Sequence, residues 1–472
     1  MHTAVLTLRE QPVIRRINHF LASPYYIMFV VLAAAAANLF ALELPVYTLY
    51  VLAVVYTCFL GRDLMPVIPV VVCSYLAPSL LNNPGRNSHT IFTVGEGGGY
   101  MMALAAVVTV SLLAHVVIHR KTFFTRKRQL LPGILSLCAA YLLGGLFSPA
   151  YPEQGFSHLR FALVQCAGIL LPYYLISGGV RWGRNRKDYF CWTGFGAGCL
   201  LMCELLWIYC MRDITNEGVI VRQRIFTGWG MHNNMGGMLA MMIPFAFYLA
   251  SRYHRGWIGT VAGSAFMVGV FMSCSRSAIL VGFGVYLICS YMMLRSAANR
   301  KGNFRALVIV LAGTAAVILL FRAQLAKLFW NLISMGADPS YRDVTWREGW
   351  KQFLRYPVFG GSFFPIDFAP WDFSTLDKFS GVFPPRWHNT VIQLLASTGI
   401  TGLLAYGFHR FQTARLFLKN INREKAFIGA SLLVLLGTSL LDCHLFNVGP
   451  ALFYSMGLAF AEKCGKSTED GE

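Results

Sequence analysis

GYMMALAAVVTVSLLAHVVI, residues 99–118, is a run without a single Lys, Arg, Asp or Glu, and HRKTFFTRKR, residues 119–128, follows it at once. As a helix, a run of this length rises about 30 Å, the thickness of a bilayer's hydrocarbon core. Basic residues clustered just beyond such a run mark the cytoplasmic side. The same pattern recurs along the chain. Apolar stretches fall at about 25–43, 45–61, 64–81, 99–118, 130–148, 159–178, 189–210, 235–251, 257–274, 278–294, 306–321, 388–407, 426–442 and 445–461. All are expected to be helices, since lipid offers no hydrogen-bond partner to an open sheet edge. The expectation is an all-α, polytopic transmembrane bundle of about 12–14 spans. The crowded pairs within 45–81 and 426–461 leave the count open between those limits.

Composition agrees. Of 472 residues, 56% are hydrophobic and 13% charged, about half the charge of soluble domains. That excludes a soluble enzyme, a disordered chain and a secreted disulfide scaffold. The net charge of +19, from 40 Lys and Arg against 21 Asp and Glu, raises the question of nucleic acid. In a polytopic protein, however, such an excess ordinarily orients loops. Most of the twelve cysteines lie inside apolar runs, where they act as small hydrophobes. No CxxC pair occurs, so neither a disulfide framework nor a metal site is expected. The first twenty residues, with Arg9, Arg15 and Arg16, lack the pattern of a cleavable signal peptide.

With the N-terminus inside, every second loop is basic: Arg120 to Arg128, Arg181 to Lys187, Arg252 and Arg255, Arg295 to Arg305, and Arg410 to Lys425. This divides the chain into a cytoplasmic basic N-terminus (1–24), helices 1–11 (25–321), a large extracytoplasmic loop (322–387), helices 12–14 (388–461) and a cytoplasmic tail (462–472). Two outer segments break the rule by being basic on the wrong side. One is MRDITNEGVIVRQRIFTGWGMHNN, residues 211–234, and the other is 322–387. The long loop exceeds the usual connection length, and such loops are functional or disordered. Its aromatics, among them Phe363, Phe364, Phe368, Trp371, Phe373, Phe379, Phe383 and Trp387, argue for order. A helix is expected from Tyr341 to Arg355, with Asp338 as cap, Pro339 just inside and Pro357 beyond.

The outer face therefore offers Arg222 and Arg224 before the eighth span, Arg276 in a tight turn, Arg342 at the start of the loop helix and His388 opening the twelfth span. Guanidinium groups gathered there suit a diphosphate, gripped through paired charge-assisted hydrogen bonds. A histidine at the same level can take a proton from an attacking hydroxyl. Simpler roles compete. A lone outer arginine is more often a headgroup anchor, His388 could cap a helix, and Glu204 in the seventh span could serve only to bond a neighbouring helix. His232 and His444 are weaker rivals to His388 on the same face.

Four segments, in order, resemble the O-antigen ligase and O-antigen polymerase superfamily. They are Arg222-Gln-Arg224-Ile-Phe-Thr-Gly228 with His232-Asn-Asn234; Ser275-Arg276-Ser277-Ala278; Arg342-Asp-Val-Thr-Trp346 running to Tyr356-Pro357-Val-Phe-Gly360; and His388-Asn389-Thr390 through Gln393 to Gly399-Ile-Thr-Gly402. The resemblance spans about residues 211–407. It implies a GT-C-like, multi-spanning glycosyltransferase of the bacterial inner or plasma membrane, with both termini cytoplasmic and an extracytoplasmic active site. The implied reaction is metal-independent, inverting and without cofactor. It transfers a glycan from undecaprenyl diphosphate to an acceptor hydroxyl on a glycan, lipid or protein, in cell-surface polysaccharide biosynthesis. Arg342 and Arg224 or Arg222, with Arg276, would hold the donor diphosphate. His388 would act as base or orienter, and Trp346, Trp387, Asn389 and His232 would position sugar or acceptor. His232-Asn-Asn234 departs from the family's frequent Asn-Pro-Asn, and the sequence does not choose between Arg222 and Arg224 or between polymerase and ligase. The competing class is a lipid-linked oligosaccharide flippase or other polytopic transporter, in which charges sit near the midplane on broken helices.

Overall fold

The computed structural model describes residues 11–61, 63–78, 98–180, 188–334, 342–364 and 386–464. Its helices are α1 (Pro12–Leu21), α2 (Pro24–Phe40), α3 (Glu43–Phe59), α4 (Val67–Leu76), α5 (Gly98–Ile118), α6 (Arg120–Thr125), α7 (Leu131–Leu143), α8 (Ala150–Gly179) and α9 (Tyr189–Met211). After a small hairpin, β1 (Thr215–Asn216) and β2 (Val219–Ile220), come α10 (His232–Arg252), α11 (Trp257–Met272), α12 (Arg276–Ser296) and α13 (Arg300–Leu320). The long connection holds α14 (Arg322–Leu328), α15 (Trp330–Ser334) and α16 (Arg342–Arg355). The chain then runs through α17 (Thr390–Leu418), α18 (Arg423–Ser439) and α19 (Val448–Cys464). The fold is an all-α polytopic bundle.

A helix forms at each of the fourteen apolar stretches, but they are not equal as spans. Among the described residues seven helices are long and apolar enough to cross a membrane, and α1 with α2, bent by 69°, makes an eighth if the two are one span. The ten residues of α4 and the thirteen of α7 rise only about 15 and 20 Å, too little to cross alone. The crowding at 45–81 thus has a physical outcome, a 17-residue α3 followed by a ten-residue α4, both shorter than the seven full spans. Where a span was expected at 388–407, α17 runs on to Leu418 with a break at Gly399.

The centre is α10, apolar on every side and almost wholly buried, as expected of a helix surrounded by others. It packs on α9, α11, α12 and α18. At its crossing with α11 a Cβ on Gly259 would meet the backbone of Ala246 and Ala250, so a glycine lets the two helices approach closely. At the rim, α5 and α13 present apolar side chains outward.

Contacts between helix ends sort the bundle into two layers. In one, Arg126 donates to the carbonyls of Ser177, Gly178 and Val180 at 3.3, 3.1 and 2.7 Å, closing the C-terminus of α8. In the same layer Asn422 Nδ2 donates to Cys464 O at 2.7 Å, Arg252 pairs with Asp188 at 3.4 Å, and Tyr189 Oη donates to Leu21 O at 3.0 Å. Both described chain ends lie here, with the described basic loops. In the opposite layer Asn38 Nδ2 donates to Leu76 O and Pro78 O at 3.1 and 3.0 Å. Glu204, wholly buried, accepts from Asn38 Nδ2 at 3.0 Å and Trp229 Nε1 at 2.9 Å. It latches α9 to its neighbours, the simpler of its two expected roles.

The break in α17 is filled by the long connection. Gly399 has φ +64°, ψ −156°. Ile400 N donates to Pro357 O at 2.8 Å and Thr401 N to Val358 O at 3.2 Å; in return Gly361 N donates to Ala396 O at 2.7 Å and Ser362 N to Ser397 O at 3.2 Å. Both amides and carbonyls freed by the break are thereby satisfied. Phe363, wholly buried, packs on Tyr141, Phe161, His158 and Phe446. Phe363 and Phe364 are therefore core residues, and this part of the loop is ordered, as its aromatics led one to expect. The remaining loop aromatics, Phe368, Trp371, Phe373, Phe379 and Phe383, lie outside the described residues, as do Asp338, Pro339 and Tyr341 of the expected helix start.

A Cβ at Gly399 would collide with the carbonyls of Pro357 and Val358, at a φ that L-residues rarely adopt. Gly399→Ala is expected to lower the thermal stability of the detergent-solubilised protein. Backbone strain alone is worth about 1–3 kcal/mol. A melting temperature equal to wild type would refute the role assigned to this break.

Candidate active site

His388 sits where α17 begins, opposite the basic layer, and its neighbours pin it there. Asn389 is the helix cap: its Oδ1 accepts from Val391 N at 2.8 Å and Ile392 N at 3.1 Å, while Nδ2 donates to Leu440 O at 2.8 Å. Arg386 donates to Cys443 O at 3.3 Å and Phe446 O at 3.5 Å. Trp387 is buried, and its amide donates to Gln393 Oε1 at 3.1 Å. Capping thus falls to Asn389, which leaves the imidazole free for other work. His388 takes φ +50°, a left-handed conformation uncommon outside glycine and often found at functional sites.

Its partner is Asp442, in the turn between α18 and the 3₁₀ helix His444–Phe446. His388 Nδ1 lies 3.3 Å from Asp442 Oδ1, and the carboxylate also accepts from Cys443 N at 2.8 Å and Asn233 Nδ2 at 3.3 Å. Burial would push the Asp442 carboxyl up. The hydrogen bond from His388, the charges of His444 and His388 and the Cys443 amide outweigh it and hold the group well below the usual carboxylate range. An ionised carboxylate only accepts, so Nδ1 of His388 is the donor of this bond. The His388 side chain is 41% exposed, against 13% for Asp442.

The rival histidines are less available. His444 is buried, with Nδ1 3.0 Å from Thr438 Oγ1 and Nε2 3.8 Å from Asp442. Burial lowers its pKa, Asp442 opposes, and Arg386, Arg342 and His388 lower it further. His232 opens α10, nearly buried, with an Nδ1 that has no partner among the described residues. Arg222, Asp442 and Arg342 all lie close enough to act on the His232 ring through their charges.

The two candidate arginines of the first outer segment part company. Between β1 and β2 the turn Glu217-Gly218 has positive φ at both residues, as a two-residue hairpin requires. Arg224 closes this hairpin, donating to Thr215 O at 2.7 Å and to Asp213 O and Oδ2 at 3.2 Å each. Arg222 instead lines a pocket with Arg276, Ile220, Cys274, Phe329, Asn331 and Leu332. The start of the long connection covers that pocket, with Asn331 Nδ2 donating to Ile220 O at 3.1 Å and the Phe329 ring tilted against Phe271 at 4.8 Å. Arg342, half-buried, opens α16. On the same helix Trp346 has a buried Nε1 without a partner among the described residues.

Of the nine residues expected at the site, the structure brings Arg222, Arg276, Arg342, His232 and His388 to one end of the bundle, places Trp346, Trp387 and Asn389 beside them, and ties Arg224 to Asp213. Asp442 and Arg386 were missed. Asp442 had a signal, an acidic residue at the edge of an apolar span; Arg386 had none beyond standing next to Trp387 and His388. Among the described residues no group of three His, Cys, Asp or Glu side chains is arranged to hold a metal ion.

These features define a multi-pass membrane protein with a cationic, histidine-bearing site at one end of its bundle. Residues 261–407 match the family model described as O-antigen ligase, which supports the O-antigen ligase superfamily and with it a membrane glycan-transfer function. The matched stretch, from α11 into α17, includes Arg276, Arg342 and His388 and excludes Arg222, His232 and Asp442. The family implies a lipid-linked glycan donor and an acceptor. No curated protein matches the chain in a sequence search.

The depressed Asp442 group adds stability that is fully present above the ordinary carboxylate pKa, about 3.9, and is lost as pH falls through its folded value. The thermal stability gap between wild type and Asp442→Asn in detergent is therefore expected to persist down to pH 5 and to shrink below about pH 4. A gap that widens in strong acid would contradict the pairing.

Proposed function

We propose that the protein transfers a glycan from undecaprenyl diphosphate to an acceptor hydroxyl, as a ligase or polymerase of cell-surface polysaccharide, at the extracytoplasmic face. The observation that carries this reading is the meeting of Arg222, Arg276 and Arg342 with the His388–Asp442 pair at the end of the bundle opposite the basic loops. The charge bias of those loops supports a cytoplasmic basic layer and hence an outer site.

His388 Nε2 takes the proton of the acceptor hydroxyl while its oxygen bonds to the anomeric carbon of the donor sugar. The bond from that carbon to the diphosphate oxygen breaks, and undecaprenyl diphosphate leaves with the electron pair. Asp442 orients the imidazole through Nδ1 and stabilises the imidazolium that forms, acting as a positioning residue. General-base help of this kind is worth about 10²–10⁴-fold. Arg342, Arg222 and Arg276 meet the charge that grows on the leaving diphosphate, where one well-placed donor is worth about 10²–10³-fold. His232 Nδ1, buried and without a partner among the described residues, supplies a further polar contact from the start of α10, whose N-terminal dipole favours an anion. No step in this scheme calls on a metal or a cofactor.

Purified protein incubated with a lipid-linked repeat unit is expected to build a ladder of lengths if it polymerises, or to give a single transfer to an added acceptor if it ligates. No product under either condition would return the transporter reading. His388→Ala should reduce transfer by 10² or more, and Arg342→Lys should lose most activity if a bidentate grip matters. Full activity in a folded His388→Ala variant would remove the base assignment.

Arg222→Gln and Arg224→Gln separate the two arginines. The first should abolish most transfer, whereas the second should chiefly loosen the hairpin and retain substantial activity, read as initial rates beside melting temperatures. The reverse order would place the diphosphate against the hairpin instead.

A further inference from the structure

The loop helix α16 has a face that the site does not use. Its inner side, with Thr345 and Gly349 buried, packs on α17 and on Trp387. One turn apart on the opposite side stand Trp350, 46% exposed, and Leu354, 61% exposed, followed by exposed Val358 just past the helix end. Residues four apart lie in one row along a helix, so Arg347, Lys351 and Arg355 form a basic row beside the apolar one. Lys351 is held by Glu348 at 2.7 Å. Across α16 four basic residues face two acidic ones, Asp343 and Glu348.

The apolar row does not end in water. Phe359, next to Val358, lies 5.8 Å from Phe147 ring to ring, and Gly145 N donates to Phe359 O at 2.7 Å. Phe147 is 83% exposed, and Phe156 on α8 is likewise exposed. The row is therefore continuous with the outward-facing apolar wall of the bundle at α7 and α8. An apolar stripe joined to that wall and edged with cations has the chemistry of a helix seated in the headgroup region, with its apolar side in the acyl boundary and its basic side against phosphates.

We propose that α16, with Val358 and Phe147, docks on the membrane surface itself, its partner being the phosphate-bearing headgroups and upper acyl chains of the lipid leaflet at that end. Because α16 begins with Arg342, this seat fixes how deep that arginine lies relative to the headgroups. A diphosphate whose lipid tail remains in the bilayer is then met at its own level.

The test uses the full-length protein in vesicles of phosphatidylglycerol and phosphatidylcholine, without any glycan substrate, so its outcome is independent of transfer activity. Trp350 fluorescence is isolated as the difference between wild type and Trp350→Phe, with bromine-labelled acyl chains as the membrane quencher and iodide as the aqueous one. Seating in the leaflet predicts quenching of the Trp350 component by bromine near the headgroup end of the chains, with weak quenching by iodide. Leu354→Glu should reverse that preference at an unchanged melting temperature in detergent. A Trp350 component quenched by iodide and untouched by bromine in the wild type would overturn the proposal, as would a folded Leu354→Glu protein with the wild-type pattern.

Discussion

A helix broken inside an apolar bundle must have its freed backbone groups bonded by protein, since lipid cannot bond them. Much of this molecule is arranged around that constraint at Gly399. The segment from Pro357 to Ser362 supplies two carbonyls and two amides to the break, and in doing so threads the long connection back into the bundle. The consequence is geometric. With the end of α16 anchored by that segment and its inner face against the first turns of α17, Arg342 and His388 are held on one rigid corner. His158 reinforces it, with Nε2 2.9 Å from Tyr141 O and Nδ1 3.0 Å from Ser362 Oγ.

The same corner explains why His388 is free. An imidazole at a helix start would ordinarily be drawn into capping; here Asn389 takes that task with Oδ1 and uses Nδ2 to hold Leu440 O. Arg386 holds the other side of the turn through Cys443 O and Phe446 O. Two flanking residues thus fasten His388 to the turn that carries Asp442, and the left-handed φ of His388 is the local strain that this double attachment imposes.

Hydrophobic runs and charge sidedness made the helices legible because both follow from burial in lipid, a constraint applying to each segment by itself. Span completeness was less legible. Hydropathy alone does not show that α4 ends after ten residues, because its neighbours, not lipid, cover most of it. The candidate site was legible where residue type and placement coincide, as for Arg276, Arg342 and His388, each out of keeping with the side that the loop charges predict or at the mouth of a span. It was illegible where the deciding fact is a long-range contact. Arg222 and Arg224 have nearly the same local sequence. Only the pairing of Thr215 with Ile220 turns one toward Asp213 and leaves the other beside Arg276. Phe363 shows the same limit: the loop aromatics argue for order, but only long-range contacts show that this one fills the space between α7, α8 and the 3₁₀ helix at His444.

The net charge of +19 divides along the same lines. The described basic loops gather in one layer, where their side chains close helix C-termini, as Arg126 does for α8 and Arg423 for α10. Cations suit that position because the helix dipole leaves negative potential there. Such charges serve topology and packing and need no ligand. At the other end the arginines meet something different: the start of α10 at His232, the start of α12 at Arg276 itself and the start of α16 at Arg342, all N-termini. A cation at a helix N-terminus is unfavourable by the same dipole argument, so these residues add positive potential where the backbone already supplies it. Asp442, next to His388, offsets it in part. A site built against its own electrostatics in this way is stabilised by an anion, which is the charge that the proposed donor would bring.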